Sequence, residues 1–255
     1  MKQAIDVSQL KVDAATRQLV TASAPKKMSD FDKNALEEAI RIKEKLGGEI
    51  VTLTVSSEDA KAVLREGLAM GADKAYWVND SSLQNVDTWG TAYVLAEMVK
   101  KTGEYDLILC GDSSLDSFSG LVGPRMAEIL NVPQITSVGK VTVEGDAVVA
   151  ERSLEDASES VKAKMPALIS VTREINQPRI PSLMMIMKAS KKEIVIWSLK
   201  DLNIEQDKIS PRTEIVDVLA PKMERKKIMI TGESVQEIAD KLAKALVQEG
   251  VIGRK

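Results

Sequence analysis

The chain has 255 residues, 44% of them hydrophobic and 29% charged, which is long and apolar enough for one large domain or two small ones and excludes collagen-like, disulfide-dense and disordered classes. Its 35 Lys+Arg against 38 Asp+Glu leave a net charge of -3, so no chain-wide positive field exists to hold nucleic acid or an anionic membrane. With no histidine and one cysteine, Cys110, the His-based triads, the commonest metal ligand, an internal disulfide and Cys-rich zinc or iron–sulfur sites all drop out. Chemistry is left to carboxylates, lysines or a bound cofactor. A reducing, cytoplasmic compartment is expected, because no run approaches the ~20 apolar residues of a membrane span and Asp6 interrupts any signal-like start.

In chain order, Ala35, Leu36, Ala39, Ile40 and Leu46 recur at helical spacing, with Ser29, Asp30 and Asp32 available as caps and Gly47-Gly48 as a stop. Ile50–Val55 reads as a short buried strand. Ser56 or Ser57 is expected to cap the next helix, which faces inward with Ala60, Val63, Leu64 and Leu68 and ends at Gly71. Lys74–Val78 is strand-like, Asp87 opens a helix through Val99, and Asp106–Cys110 is a further apolar strand. It enters a Gly- and Ser-rich loop from Gly111 to Gly120, followed by a helix from Leu121 to Leu130 in which Pro124 is tolerable only near the first turn. This alternation predicts an α/β fold, a three-layer α/β/α sandwich on a mainly parallel sheet, whose ligands sit at the carboxyl ends of the strands. The loops after Val55 and Cys110 are therefore the places to look.

Beyond Pro133, Lys140–Val143 and Ala147–Ala150 flank Glu144-Gly145-Asp146 as a hairpin, and Pro166–Val171 is another buried strand. Thr172–Lys192 reads as a long irregular segment with two prolines and a basic cluster. Val195–Thr231 reads as mostly polar connection, and Ser234 with Glu237 forms a capping box for an amphipathic helix using Val235, Ile238, Leu242 and Leu246.

The strongest local signal is the loop Gly111, Asp112, Ser113, Ser114, Leu115, Asp116, Ser117, Phe118, Ser119, Gly120, Leu121, Val122, Gly123. Small residues let backbone N–H groups approach an anion, and the helix start that follows adds its positive end, which favours phosphate. It is neither a Walker A loop nor a GxGxxG, and an ordinary loop of turn formers has the same composition. Ser29-Asp30-Phe31-Asp32 either lends a second helix N-terminus to this pocket or simply caps its own helix. Cys110 fits a small buried hydrophobe better than a nucleophile, having no histidine to activate it. Lys188, Lys191 and Lys192 form either a solvated face or a docking patch for an acidic partner, and Met184-Met185-Ile186-Met187 is either core filler or an exposed anchor.

Several of these residues resemble the electron transfer flavoprotein β-subunit family. Val171–Leu183 continuing through Ile186–Lys192 resembles its recognition loop, and Ala150–Asp156 through Pro166–Ser170 is similar to its signature, with Ala157 where Gly or an acid is usual. Leu36–Lys45 and Gly67–Ala75 match its helices, and agreement runs in order from Lys2 to the end. The resemblance implies an adenine nucleotide alpha hydrolase-like (Rossmann-like) domain over residues 1–192, including recognition loop 172–192, and an extended C-terminal arm and helix over 193–255 packing on the α subunit. It implies a non-catalytic carrier that forms a heterodimer with that α subunit and shares one FAD with it. Electrons pass from acyl-CoA dehydrogenase-type donors to a quinone-linked oxidoreductase. The β subunit itself holds AMP, or a second FAD in the electron-bifurcating branch.

Carried over by position, the nucleotide pocket would be Ser29, Asp30, Phe31, Asp32, Val55 and Gly111 to Val122, with phosphate on backbone near Gly120, Leu121, Val122 and Gly123, and Val7 beside the α-bound flavin. Leu183 matches the family's anchor leucine, with Lys188 and Lys191 as its basic flank. Three departures stand out: Leu121 where Gln is frequent, Val122 where Thr is frequent, and Ser29 where Asn is usual. The family also begins with an apolar strand just ahead of the pair matching Lys2-Gln3, so either the start lies upstream or another element covers that sheet edge, since an open edge invites pairing between chains. Val195–Leu202 resembles tails of anaerobe members, which keeps bifurcation open. A free-standing ATP- or AMP-binding regulator of the same architecture is the rival from another class.

Overall fold

The computed structural model describes residues 1–222 and 226–253. Its first elements are β1 (Gln3–Ile5), β2 (Lys11–Val12), β3 (Leu19–Val20), β4 (Lys26–Met28), α1 (Asp30–Leu46), β5 (Val51–Ser56), α2 (Lys61–Met70), β6 (Lys74–Asn79), α3 (Thr88–Thr102) and β7 (Leu107–Gly111). Then come α4 (Val122–Leu130), β8 (Gln134–Glu144), β9 (Ala147–Ser153), β10 (Ser158–Lys164), β11 (Ala167–Val171), α5 (Leu183–Ser190), β12 (Ile194–Trp197) and α6 (Val235–Gln248). The chain divides into two compact units, Met1–Val218 and Leu219–Lys255.

The first unit is a three-layer α/β/α sandwich, and alternation along its strands creates the layers. On β6, Ala75 and Trp77 pack with Leu36 of α1 and Leu64 of α2, whereas Tyr76 and Val78 pack with Val94 and Met98 of α3. On β7 and β11, Leu107, Leu109 and Ile169 share a cluster with Ala35 of α1, while Ile108, Cys110 and Leu168 cluster with Met126 and Ala127 of α4. Successive residues of a strand point to opposite faces, so α1 and α2 cover one side and α3 and α4 the other. β11 is buried at all five residues, as its unbroken apolar run requires.

The strands run β12-β6-β5, all parallel, and β10-β9-β8-β11-β7, in which β7, β11 and β8 are parallel and β8, β9 and β10 form an antiparallel meander. Among the described strands β5 pairs only with β6 and β7 only with β11. On this side of β5 the Met1 nitrogen donates to the Leu53 carbonyl at 2.5 Å, and the Thr54 hydroxyl donates to the Met1 carbonyl at 3.0 Å. Met1 is thus the element that meets the sheet edge there.

Four local expectations are corrected. The helix expected to start at Ser56 or Ser57 starts at Lys61 with Ala60 as its N-cap; the Ser56 hydroxyl is occupied with the Glu58 N–H and carbonyl. The segment read as irregular over 172–192 contains α5, capped by the Ser182 hydroxyl on the Met185 N–H. The stretch read as polar connection from Val195 begins inside β12, whose run Ile194-Val195-Ile196-Trp197 pairs with β6 and extends the first unit to Val218. The meander gains a third strand, β10, whose apolar residues are only Val161 and Ala163, too few and too small to signal a strand.

The second unit contains α6. The Ser234 hydroxyl accepts from the Glu237 N–H at 3.2 Å and the Glu237 carboxylate accepts from the Glu233 N–H at 2.9 Å, a capping box displaced by one residue on its return bond. Its stripe Val235, Ile238 and Leu242 is exposed. No described helix is long and apolar enough to cross a membrane.

Candidate functional site

The carboxyl end of β7 and the first turn of α1 meet through one side chain. Asp32 accepts from the Gly111 N–H at 3.1 Å with one oxygen and from the Lys2 N–H at 2.6 Å with the other. Gly111 is required here by space: a Cβ would lie 2.5 Å from the Phe31 Cβ and 2.9 Å from its carbonyl carbon. Phe31 is buried and meets the exposed Phe118 ring edge-on at 6.2 Å. Asp30 pairs with Lys27 at 3.2 Å. The α1 turn Ser29–Asp32 and the start of the β7 loop are therefore brought together.

Inside the loop the polar groups divide into engaged and unengaged. Asp112 accepts from the Ser137 N–H at 3.0 Å and the Ser170 hydroxyl at 2.6 Å, tying the loop to β8 and β11. The Lys2 ammonium donates to Asp116 at 2.6 Å, Ser114 at 3.0 Å and Ser117 at 3.2 Å, and the Ile5 N–H donates to the other Asp116 oxygen at 3.2 Å. Burial pushes the Asp116 carboxyl up, but the hydrogen bonds from Lys2 and Ser114 and the Lys2 charge outweigh it and hold the group below the usual carboxylate range. Lys2 was missed in the sequence, where a lysine three residues from a turn carries no signal. Leu115 is half-buried.

Two hydroxyls are left over. Ser29 Oγ, at the N-cap position of α1, and Ser113 Oγ are buried and have no hydrogen-bond partner among the described residues, as is also true of Trp77 Nε1, Trp89 Nε1 and Arg152 Nε. An unmet buried polar group costs about 1–3 kcal/mol, so two such hydroxyls by one loop leave bonding capacity there for another group. At the far end of the loop Ser119 is exposed and Gly120 adopts φ +62°, a left-handed conformation suited to glycine. Leu121 is the N-cap of α4 and makes no side-chain cap bond, so neither it nor Val122 supplies a side-chain donor, and the free N–H groups of the first turn, Gly123 included, are the donors at that end. Spare hydroxyls, free helix N–H groups and a glycine-spaced approach fit an adenine nucleotide's ribose and phosphate. Cys110, beneath this loop, is pushed up to about 12 by burial, with Asp32 adding to the effect, which rules it out as a thiolate nucleophile.

Val55 lies on β5 with its side chain toward the α3 cluster. Val7 begins a short 3-10 turn capped by Asp6 and is exposed, two residues beyond the β1 residue Ile5 that bonds Asp116. Leu183, Lys188 and Lys191 lie elsewhere, on α5 and its C-cap, and among the described residues no hydrogen bond or ion pair links them to the β7 loop. Leu183 is 74% exposed, and Met184, Ile186 and Met187 are exposed with it. Of the two readings of the Met run, the anchor is the one whose geometry is present.

Residues 16–202 match the family model described as the electron transfer flavoprotein domain. Similar proteins include the electron transfer flavoprotein subunit beta of Thermoanaerobacterium thermosaccharolyticum, 38% identical over 95% of both chains, and that of Bacillus subtilis, 36% identical over 93% of this chain and 92% of the relative. The caffeyl-CoA reductase-Etf complex subunit CarD of Acetobacterium woodii is 33% identical over 98% of this chain and 97% of its own length. With the family model covering most of the chain and relatives matched almost end to end, the chain belongs to the electron transfer flavoprotein β-subunit family.

Proposed function

We propose that this chain is the β subunit of a cytoplasmic heterodimeric electron transfer flavoprotein, carrying electrons from acyl-CoA dehydrogenase-type donors to a quinone-linked acceptor through FAD held mainly by an α subunit. Its own pocket, from Ser29–Asp32, Val55 and Gly111–Gly123, holds AMP. The second unit, which carries α6, acts as an arm on the α subunit, which gives the exposed α6 stripe Val235, Ile238 and Leu242 a cover. The observation that carries the nucleotide assignment is the pair of partnerless buried hydroxyls, Ser29 Oγ and Ser113 Oγ, at the mouth of a loop that ends in a free helix start. FAD supplies the redox chemistry when bound; this chain's residues orient and enclose it, with Val7 at its side.

Co-expression with an α subunit, followed by release and identification of bound nucleotides, tests the reading. One FAD and one AMP per heterodimer is the expected result; a colourless heterodimer at every expression ratio overturns it. Two FAD would favour electron bifurcation, a reading supported by the A. woodii relative, whose name places it in a complex with a reductase acting on a CoA thioester. For docking, Leu183→Ala should raise the dehydrogenase concentration needed for half-maximal flavin reduction by about tenfold or more, as truncating a central apolar anchor does, while flavin content stays unchanged.

A further inference from the structure

The eight-residue helix α5 has one buried side chain, Ala189. A helix that short is marginal in water, where about 12–15 residues are needed for stability, and its exposed face contributes little burial. It lies against α2 through Ala189, and hydrogen bonds tie both of its ends. At the C-terminal end Arg65 of α2 donates to the Ala189 carbonyl at 2.7 Å and to the Lys192 carbonyl, and the Lys192 ammonium donates to the Ala72 carbonyl at 2.6 Å.

At the entry the tie is made to α1. Asn34 donates to the Arg173 and Asn176 carbonyls at 3.1 and 2.7 Å, and Asn176 returns bonds to the Asn34 carbonyl and to Glu38. Arg179 then uses its whole fork: Nε donates to Glu37 at 2.8 Å, Nη1 to Glu44 at 2.6 Å and Nη2 to both, while the Arg179 N–H also donates to Glu37 at 3.1 Å. Glu37 is the central acceptor, with a side chain only 4% exposed, and it takes a further bond from Arg41 at 2.9 Å. Two carboxylates and two guanidiniums balance in charge, so the cluster holds without a residual buried ion. The next residue, Ile180, is 94% exposed, and Leu183 follows three positions later.

We propose that Glu37 is a positioning residue for partner docking: through Arg179 it fixes the entry to α5, so that Ile180 and Leu183 stand in one geometry before a partner arrives. The inference rests on the reading of α5 as the docking face. Pre-ordering removes a cost that would otherwise fall on association.

The test uses the FAD-containing heterodimer and a purified acyl-CoA dehydrogenase reduced by its acyl-CoA. In Glu37→Gln, amides of residues 173–190 should exchange with deuterium faster, and the half-saturating dehydrogenase concentration should rise about fivefold at unchanged maximal rate and flavin content. Arg179→Lys, which keeps the charge and loses the fork, should do the same and carries the test if Glu37→Gln yields no flavin-loaded heterodimer. Unchanged exchange overturns the proposal. Faster exchange with unchanged half-saturation also overturns it, and leaves the docking reading standing if Leu183→Ala weakens reduction; if Leu183→Ala is equally silent, both fall.

Discussion

The two ends of α1 hold two loops by opposite means. At its first turn Asp32 gives one oxygen to Gly111 and one to Lys2, and the neighbouring Ser29 and Ser113 hydroxyls stay buried without partners. Further along, Asn34, Glu37, Glu38, Arg41 and Glu44 pin the segment 173–179, and the large apolar side chains Ile180 and Leu183 stand exposed just beyond it. A loop that leaves buried hydroxyls unmet is suited to a polar ligand; a pinned segment that holds apolar side chains outside is suited to a protein surface. On the proposed reading, one helix serves a nucleotide pocket at its start and a docking face further along.

The sharpest way to break the first half of this comparison is to fill the space at Gly111. Gly111→Ala places a methyl 2.5 Å from the Phe31 Cβ and 2.9 Å from its backbone carbon, and the backbone of a helix's first turn cannot swing aside like a side-chain tip. Overpacking of this kind costs about 1–3 kcal/mol, and the upper part of that range is expected. Chemical denaturation should show the loss together with reduced nucleotide retention. A variant as stable as the parent, with its nucleotide, would mean that the α1 turn and the β7 end are not in contact.

Acid sharpens it next. The Asp116 carboxyl is held below its ordinary value in the folded chain, by Lys2 and Ser114 against the opposing effect of burial. A carboxylate with a lowered folded value contributes stability above its unfolded value of about 4, and that contribution is lost as pH falls through the lower folded value. Glu37 behaves alike, since its bonds from Arg179 and Arg41 outweigh its burial. Both loops should therefore loosen below about pH 4. Asp116→Asn should flatten the acid limb of the stability curve and Glu37→Gln should flatten it further; acid limbs identical to the parent's in both variants would show that neither carboxylate is tied as described.

Much of the fold was legible because apolar periodicity carried it: Ile50–Val55, Lys74–Val78 and Ala167–Val171 alternate or run apolar, and Asp87 caps α3 on the Trp89 and Gly90 N–H groups as its position implied. The β7 loop was legible too, through its small residues. What stayed hidden is made of long-range polar bonds. Glu37 sits beside the inward residue Leu36 and looks in the sequence like any solvated helix acid, because its partner Arg179 is 142 positions away. Lys2 is 114 positions from Asp116. The strand β10 was hidden for the complementary reason, its inward face offering only Val161 and Ala163, and the α5 helix because prolines ahead of it and a lack of helix-long apolar periodicity read as irregular chain.

The smallest effect tests the docking half from its rim. Lys188 and Lys191 flank the apolar face of α5, and no carboxylate pairs with either among the described residues. Rim charges of this kind steer encounter more than they hold a complex, so Lys188→Gln with Lys191→Gln should leave stability within about 0.5 kcal/mol of the parent. The same double variant should slow reduction by a dehydrogenase severalfold at low ionic strength and have no effect near 1 M salt, where the screening length falls to about 3 Å. An equal slowing at both salt concentrations would assign these lysines a contact inside the complex instead of steering around it, and would extend the docking face from the Leu183 turn to the C-terminal end of α5.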